Sequence, residues 1–251
     1  MHGHPGATGA AAPAIDVDIR EKSRVEKDGK PQILDRRLFM QLLVFTGCKD
    51  YKNLTAALKK AKFPSVLYSD MHDPQGIGLL TMHENPEFFV TTLRDFLNKS
   101  GFSKLRLRRS MSMLGKTYSL GFEKNLEDWL IHRSPRVVCN PEWQWAVWYP
   151  LRRKGSFALL PKEEQNEILK EHGTIGHAFG SADLGHDIRL NCNGIDQTDN
   201  DFVIGLIGKD LHPLSALVQT MRKTKQTSTH IEKMGPFFTG KAVFQSAVKK
   251  P

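Results

Sequence analysis

The residue best suited to ligand chemistry is a histidine that continues the buried face of a predicted helix. The helix is predicted over Pro161–His172, and Gly173 follows at the position typical of a C-terminal cap. Helical spacing puts four side chains on one face: Gln165, Ile168, Leu169 and His172. One interpretation is an axial ligand for a metal or a haem iron, and the other is a histidine stabilised by the negative end of the helix. The spacing alone leaves both open.

Basic residues on both sides of an aromatic stretch suggest a second kind of chemistry. The basic residues are Arg133, Arg136, Arg152, Arg153 and Lys154, and the aromatic ones are Trp143, Trp145, Trp148 and Tyr149. Arginines beside aromatic rings suit a flat, anionic, partly apolar ligand at least as well as a polynucleotide. Another basic run, Lys104–Arg109, has no interleaved aromatic residues for base stacking. The formal net charge of +9 therefore favours an anionic small molecule over nucleic acid.

Composition and missing motifs exclude several classes of function. The chain has no GxxxxGK[ST] loop for phosphate and no GxSxG motif for a nucleophilic serine. Its three cysteines, Cys48, Cys139 and Cys192, are widely spaced, which argues against disulfides and zinc knuckles and favours the cytoplasm. No apolar run approaches the ~18 residues of a membrane-spanning helix. The N-terminal stretch does not have the pattern of a secretory signal.

The elements that would position these residues follow a β-α-β-β-α-β order twice. In the first half, strands are predicted at Leu38–Phe45, Ser65–Ser69, Ile77–Met82 and Leu105–Leu107. In the second half, they are predicted at Trp145–Leu151, Asp187–Cys192, Phe202–Ile207 and Phe237–Phe244. This order predicts an α+β fold of tandem ferredoxin-like βαββαβ halves, of the dimeric α/β-barrel type, with the helices outside. The expected domains are a flexible leader over 1–36, an N-terminal half over 37–125 and a C-terminal, ligand-binding half over 126–251.

Four segments of the second half resemble a known family. The stretch WYPLRRKGSFALLPKEEQNEILKEHGTIG, followed by DIRLN, NDFVIGL and GPFFTG, resembles the chlorite dismutase-like haem proteins. This superfamily includes chlorite dismutases and the coproheme decarboxylases of haem biosynthesis. The resemblance covers about Arg133–Phe244, and over Leu38–Gly121 it rests on the repeated βαββαβ order. It implies tandem ferredoxin-like halves assembled as a homopentamer.

The resemblance assigns expected roles to individual residues. His172 matches the proximal iron ligand, and Arg189 matches the distal arginine of chlorite dismutases, after an interval longer than usual. Tyr149, directly before Pro150, matches a tyrosine of the coproheme decarboxylases. The propionate-binding positions correspond to Arg153 and to Arg133 or Arg136.

Two positions depart from the family pattern. Gln226 stands in place of the glutamate that supports the proximal histidine, and Phe157 and Ala158 stand where tryptophans are expected. A neutral glutamine would make the imidazole less anionic, which weakens peroxidase-type chemistry.

The function implied first is coproheme decarboxylation, in which peroxide drives the conversion of Fe-coproporphyrin III to haem b with Tyr149 as the radical-forming residue. Its structural alternative is that Tyr149 is a packing residue of the core. The second function is chlorite dismutation on haem b, in which Arg189 would stabilise the chlorite anion; otherwise Arg189 is a surface arginine on an edge strand. The third is a non-catalytic haem-binding or sensing protein, which Gln226 and the missing tryptophans favour.

Overall fold

Strands and helices alternate along the chain in an order that repeats once. The computed structural model describes residues 17–247. The strands are β1 Glu21–Lys27, β2 Lys30–Leu34, β3 Phe39–Thr46, β4 Ser65–Asp70, β5 Ile77–His83, β6 Arg106–Leu107, β7 Met113–Lys116, β8 Trp145–Arg153, β9 His186–Asn191, β10 Phe202–Gly208, β11 Ile231–Met234 and β12 Phe238–Gln245. The helices are α1 Lys52–Lys60, α2 Glu87–Val90, α3 Thr92–Lys99, α4 Arg133–Val138, α5 Lys162–Ser181, α6 Leu211–Met221 and α7 Lys225–His230. A π-helical turn, Asp128–His132, leads directly into α4.

Eight of the strands form a closed antiparallel barrel. Their order is β10-β9-β7-β3-β5-β4-β12-β8, and β8 pairs again with β10 to close the ring. The first half contributes β3, β4, β5 and β7, and the second contributes β8, β9, β10 and β12. The halves meet where β12 pairs with β4 and where Lys116 of β7 pairs with Asn191 of β9. The fold is thus the predicted α+β arrangement of tandem ferredoxin-like halves, with the two sheets joined edge to edge.

Side-chain alternation divides the apolar residues between the barrel interior and the outer face. On β8, Ala146 and Trp148 lie in the interior cluster, whereas Val147, Tyr149 and Leu151 belong to an outer cluster covered by helices. The interior is filled with side chains. The outer face of the second half, under α5 and α6, is therefore where a ligand could lie between sheet and helix.

The leader predicted over 1–36 is structured between residues 21 and 34, where β1 and β2 form a hairpin. The turn is Asp28-Gly29, and both residues have positive φ, 53° and 70°. This is the sequence signature of a tight hairpin turn, and it outweighs the high charge of the flanking strands. The rest of the predicted leader, residues 1–16, lies outside the described residues.

The fourth strand of the first half also differs from the prediction. The predicted strand at 105–107 is reduced to β6, a two-residue strand that pairs with the end of β3. The strand that completes this half of the barrel is β7, which pairs along β3 from Phe39 to Leu42. Within β7, Gly115 faces Leu190, and an added Cβ would lie 2.6 Å from the Leu190 side chain.

Among the described residues, no helix is long and apolar enough to cross a membrane.

The helix that carries His172, α5, is longer than predicted. α5 continues through Gly173 and Gly176 to Ser181 instead of ending at His172. The helix is capped beyond Ser181 by Asp183, which has a φ of 55°, where the amides of Asp183 and Leu184 donate to the carbonyls of Gly180 and Phe179. This is the double hydrogen bond of a Schellman cap, the role that the sequence analysis gave to Gly173.

Candidate functional site

Two of the predicted site residues lie in one row on the outer face of the second-half sheet. Ile204 of β10 is in register with Tyr149 of β8 on one side and with Arg189 of β9 on the other. Because directly paired residues project to the same face, Tyr149 and Arg189 flank Ile204, about two strand spacings, or ~10 Å, apart. Arg153 lies four positions along β8 on the same face. Arg152 lies on the opposite face, where it forms an ion pair with Asp199.

His172 approaches from α5, above this face. Ile168 on the same helix is buried, and Ile175 and Phe179 pack against the outer cluster that contains Tyr149, whereas the predicted neighbour Leu169 is 40% exposed. His172 lies well before the helix end, so stabilisation by the negative end of the helix is excluded. Burial lowers the pKa of His172 to about 4, and the positive charges of Arg189 and Arg153 act in the same direction. The imidazole is therefore neutral at neutral pH, the state in which it can ligate a metal.

A threonine hydroxyl lies beside the other nitrogen of this histidine. Nδ1 of His172 lies 3.5 Å from Oγ1 of Thr224. Oγ1 donates its own proton to the carbonyl of Met221 at 2.8 Å, so toward Nδ1 it can act only as an acceptor. This arrangement favours the tautomer with hydrogen on Nδ1 and leaves the Nε2 lone pair free.

The phenol of Tyr149 is buried against another aromatic ring. Tyr149 is 5% exposed, and its ring stacks on Phe237 with centroids 4.6 Å apart. The guanidinium of Arg222 lies 5.9 Å from the centre of the Phe237 ring. Burial raises the pKa of the Tyr149 phenol, and the Asp187 carboxylate adds to the effect. The phenol therefore keeps its hydrogen at neutral pH.

Arg189 and Arg133 share one carboxylate. Asp187 forms an ion pair with Nε of Arg189 at 2.5 Å, and it accepts hydrogen bonds from Arg133 at its carbonyl (2.7 Å) and at Oδ1 (3.2 Å). Both guanidinium groups lie near the ring of Trp129, at 4.7 Å for Arg133 and 5.8 Å for Arg189. Although burial acts in the opposite direction, the two arginines hold the pKa of Asp187 below its usual range. The cluster is therefore charged, with one more cation than anion.

Arg153 and Arg136 have contrasting surroundings. The guanidinium of Arg153 lies over the rings of Phe157 (4.4 Å) and Phe202 (5.0 Å), and among the described residues no carboxylate lies within ion-pair distance of it. Burial lowers the pKa of Arg153. Arg136 instead makes two hydrogen bonds to Asp128, at 2.6 and 2.8 Å. Arg153 can therefore take an anionic ligand, whereas the charge of Arg136 is already neutralised.

Gln226 lies on α7, next to the segment that contacts His172. It is 6% exposed, and its Oε1 has no hydrogen-bond partner among the described residues. The contact to Nδ1 of His172 comes from Thr224, two residues earlier. His172 thus has a neutral hydroxyl beside it, and none of the described carboxylates contacts it there.

Several residues of this site were not identified from the sequence: Trp129, Asp187, Thr224 and Phe237. One of them had a recognisable signal, because Asp187 stands two positions before Arg189 on a predicted strand and so shares its face. The others come from distant segments, and no spacing relates them to the residues they contact.

Comparison with known proteins identifies the family of this chain. The family model described as Chlorite dismutase matches residues 48–243. The chain belongs to the chlorite dismutase family. The match extends well into the first half, where the resemblance had rested on the order of the elements alone.

Relatives of the chlorite dismutase family share the fold at low sequence identity. A haem-binding protein from Thermus thermophilus superposes with a TM-score of 0.65 at 18% identity, covering 83% of this chain and 92% of that one. A chlorite dismutase from Candidatus Nitrospira defluvii, solved in complex with imidazole, gives a TM-score of 0.61 at 12% identity, covering 83% and 92%. A coproheme decarboxylase from Mycolicibacterium smegmatis is 29% identical over 93 residues, which are 37% of this chain and 37% of that protein.

Proposed function

We propose that the protein binds an iron tetrapyrrole between α5 and the outer face of the second-half sheet, with His172 as the axial ligand, and that it is a coproheme decarboxylase. The observation that carries this proposal is the row of Tyr149 and Arg189 beneath the helix that bears His172. Family membership and the local similarity to a coproheme decarboxylase support the same activity. Assembly as a homopentamer and a cytoplasmic location remain predictions from the sequence.

The residues present fit such a group. His172 is neutral and has a free Nε2, which is the donor that a haem iron takes. Arg153 is a half-buried cation without a carboxylate partner, and its Nε has no hydrogen-bond acceptor among the described residues. A propionate would supply that acceptor and neutralise the charge. Apolar side chains on the sheet-facing side of α5, including Ile175 and Phe179, suit the faces of a flat macrocycle.

When bound, Fe-coproporphyrin III would supply the oxidising power for the reaction, with peroxide as the two-electron oxidant for each decarboxylation. The role of Tyr149 follows from its protonated state and its place on the sheet. Once the hydrogen of its phenol O–H has been removed, the Tyr149 oxygen would take a hydrogen atom from the propionate beside it. Loss of carbon dioxide, with one further electron passing to the peroxide-derived oxidant, would then leave a vinyl group. Stacking on Phe237 fixes the ring plane and hence the direction of the hydroxyl. Arg153, on the same face of β8, holds a carboxylate of the ligand.

The test is the mass of the porphyrin after titration of the coproheme-loaded protein with peroxide. Wild type should lose two carboxyl groups in succession. Tyr149→Phe keeps the ring and its stacking but lacks the O–H, so it should bind coproheme about as well and lose none. Normal decarboxylation by Tyr149→Phe would make Tyr149 a packing residue and would remove the main support for this activity.

A second candidate, chlorite dismutation, is favoured by Arg189. Its guanidinium lies on the face covered by α5, and its charge acts on His172. A cation in this position can stabilise chlorite and the transient hypochlorite by charge-assisted hydrogen bonds. Oxygen release from chlorite by the haem b-loaded protein tests this activity. If neither reaction occurs, the protein is a haem carrier or sensor.

A further inference from the structure

Three buried polar atoms without partners among the described residues lie on adjoining elements at one end of the site. They are Nε2 of His230, Nε of Arg153 and Oε1 of Gln226. His230 is 8% exposed and Gln226 is 6% exposed. A buried polar group left without a partner is unfavourable, so three in one place indicate that something else completes them.

Direct contacts bring His230 and Arg153 together. Both side chains contact the buried ring of Phe157: the His230 ring lies edge-on with centroids 5.3 Å apart, and the Arg153 guanidinium lies 4.4 Å above it. Along the backbone, the amide of Lys154 donates to the carbonyl of His230 at 2.8 Å, and Ile231 is in register with Arg153. Gln226 stands one helical turn before His230, on the same face of α7.

The chemistry of these atoms indicates an anion. Nε of Arg153 is always a donor, and Nε2 of His230 is a donor in one neutral tautomer and in the charged form. The Nε–H of the Arg153 guanidinium, which forms no ion pair among the described residues, and the N–H of His230 match the two oxygens of a carboxylate. Arg153 also projects from the face of β8 that carries Tyr149, so an anion there would belong to a ligand lying over this face.

We propose that His230 is a further carboxylate-binding residue, which together with Arg153 holds one carboxylate at the edge of the tetrapyrrole. This inference rests on the proposed function, because the carboxylate belongs to the ligand proposed there. Gln226 lies beside this subsite; its Oε1 is an acceptor, so it suits a water molecule next to the ligand and not the carboxylate itself. The assignment gives His230 a role that its position, distant in sequence from Tyr149 and His172, did not suggest.

The experiment uses iron-free coproporphyrin III, so that ligation by His172 does not contribute, and follows binding by porphyrin fluorescence. His230→Leu should weaken binding about 10-fold, the usual scale for losing a hydrogen bond to a charged group. His230→Gln keeps an N–H donor near the position of Nε2 and should stay within about 3-fold of wild type. His177→Leu, at an exposed histidine of α5, is the matched control and should have no effect.

A double-variant cycle tests whether the two residues share one carboxylate. Arg153→Met keeps an unbranched stem over Phe157 and removes the charge. If both residues bind the same group, the combined loss in Arg153→Met/His230→Leu will be smaller than the product of the two single losses. Independent, multiplicative losses would overturn the shared subsite.

The outcomes separate this inference from the proposed function. If wild type binds coproporphyrin III and His230→Leu binds it equally well, the inference is wrong and the proposed function stands. If wild type binds neither coproporphyrin III nor its iron complex, the proposed function fails, and the inference fails with it. If His230→Leu does not fold, the ring-nitrogen NMR signals of His230 are measured in wild type instead. A shift of these signals on porphyrin binding supports the inference, and unchanged signals overturn it.

Discussion

His172 determines whether the iron of the ligand contributes to binding. His172→Ala should abolish the high-affinity Soret band that forms when ferric coproheme or haem is added, because the other histidine of α5, His177, is exposed and cannot replace its imidazole. Iron-free coproporphyrin III should still bind, since its carboxylate contacts are unchanged. His177→Ala is the control and should leave the haem titration intact, because that side chain is exposed. An unchanged haem titration in His172→Ala would contradict the axial assignment.

Arg189 decides between the two reactions. Removing a charge-stabilising donor typically costs about 10²-fold in rate, so Arg189→Ala should lower oxygen release from chlorite by about that factor if the protein is a dismutase. Arg152→Ala is the matched control, because that arginine lies on the opposite face of β8 and is paired with Asp199. The measurement is oxygen evolution by the haem b-loaded protein. Wild type that releases no oxygen would exclude the dismutase.

At the scale of elements, the length of α5 can be tested at one glycine. An added Cβ at Gly173 would meet no atom within 4 Å, and the residue lies inside the helix. Gly173→Ala should therefore raise the free energy of unfolding by up to about 1 kcal/mol through helix propensity, as measured by chemical denaturation.

Gly121→Ala provides the contrast for this test. Its Cβ would also meet nothing within 4 Å, but its φ is +87°, so alanine there should destabilise the protein by roughly 1–2 kcal/mol. If Gly173 were a left-handed cap, as its position in the sequence suggested, both variants would be destabilised.

Local sequence pattern predicted some features of the strands and helices correctly and others not. Alternation along β8 puts Tyr149 and Trp148 on opposite faces, because the strand has one face toward the barrel interior and one toward the helices. The predicted end of α5 at His172 was wrong. Glycine is permitted inside a helix when neighbouring turns pack on the sheet, so Gly173 did not end it. The predicted strand at 105–107 was nearly absent because alternation reports exposure on one side and not the presence of a partner strand.

At the scale of the whole molecule, closure of the barrel depends on glycines beneath interior aromatic rings. A Cβ at Gly205 of β10 would lie 2.5 Å from the Trp148 ring, and one at Gly78 of β5 would lie 2.5 Å from the Phe238 ring. The two glycines occupy matching places in the two halves: each lies in a strand that leads directly into a helix, β5 into α2 and β10 into α6. Each half thus leaves room for one large ring in the shared interior.

Gly205→Ala should destabilise the barrel, because the added Cβ would overlap the ring of Trp148, which is fully buried. The expected loss is about 1–3 kcal/mol in the free energy of unfolding, the usual range for overpacking a core. The control is Gly155→Ala, where a Cβ would meet nothing within 4 Å. Equal stability of the two variants would show that the ring can be displaced at little cost.

The amino-acid sequence by itself determined the β-α-β-β-α-β order, the face on which each strand residue lies and the helix face that carries His172. These features depend on periodicity along a short segment, where side-chain direction follows from backbone geometry alone. The tertiary structure decided the closure of the barrel, the row of Tyr149, Ile204 and Arg189, and the contact of Thr224 with His172. Those features join residues far apart in the chain, and pairing at that distance is set by the register and packing of the whole sheet rather than by any local pattern.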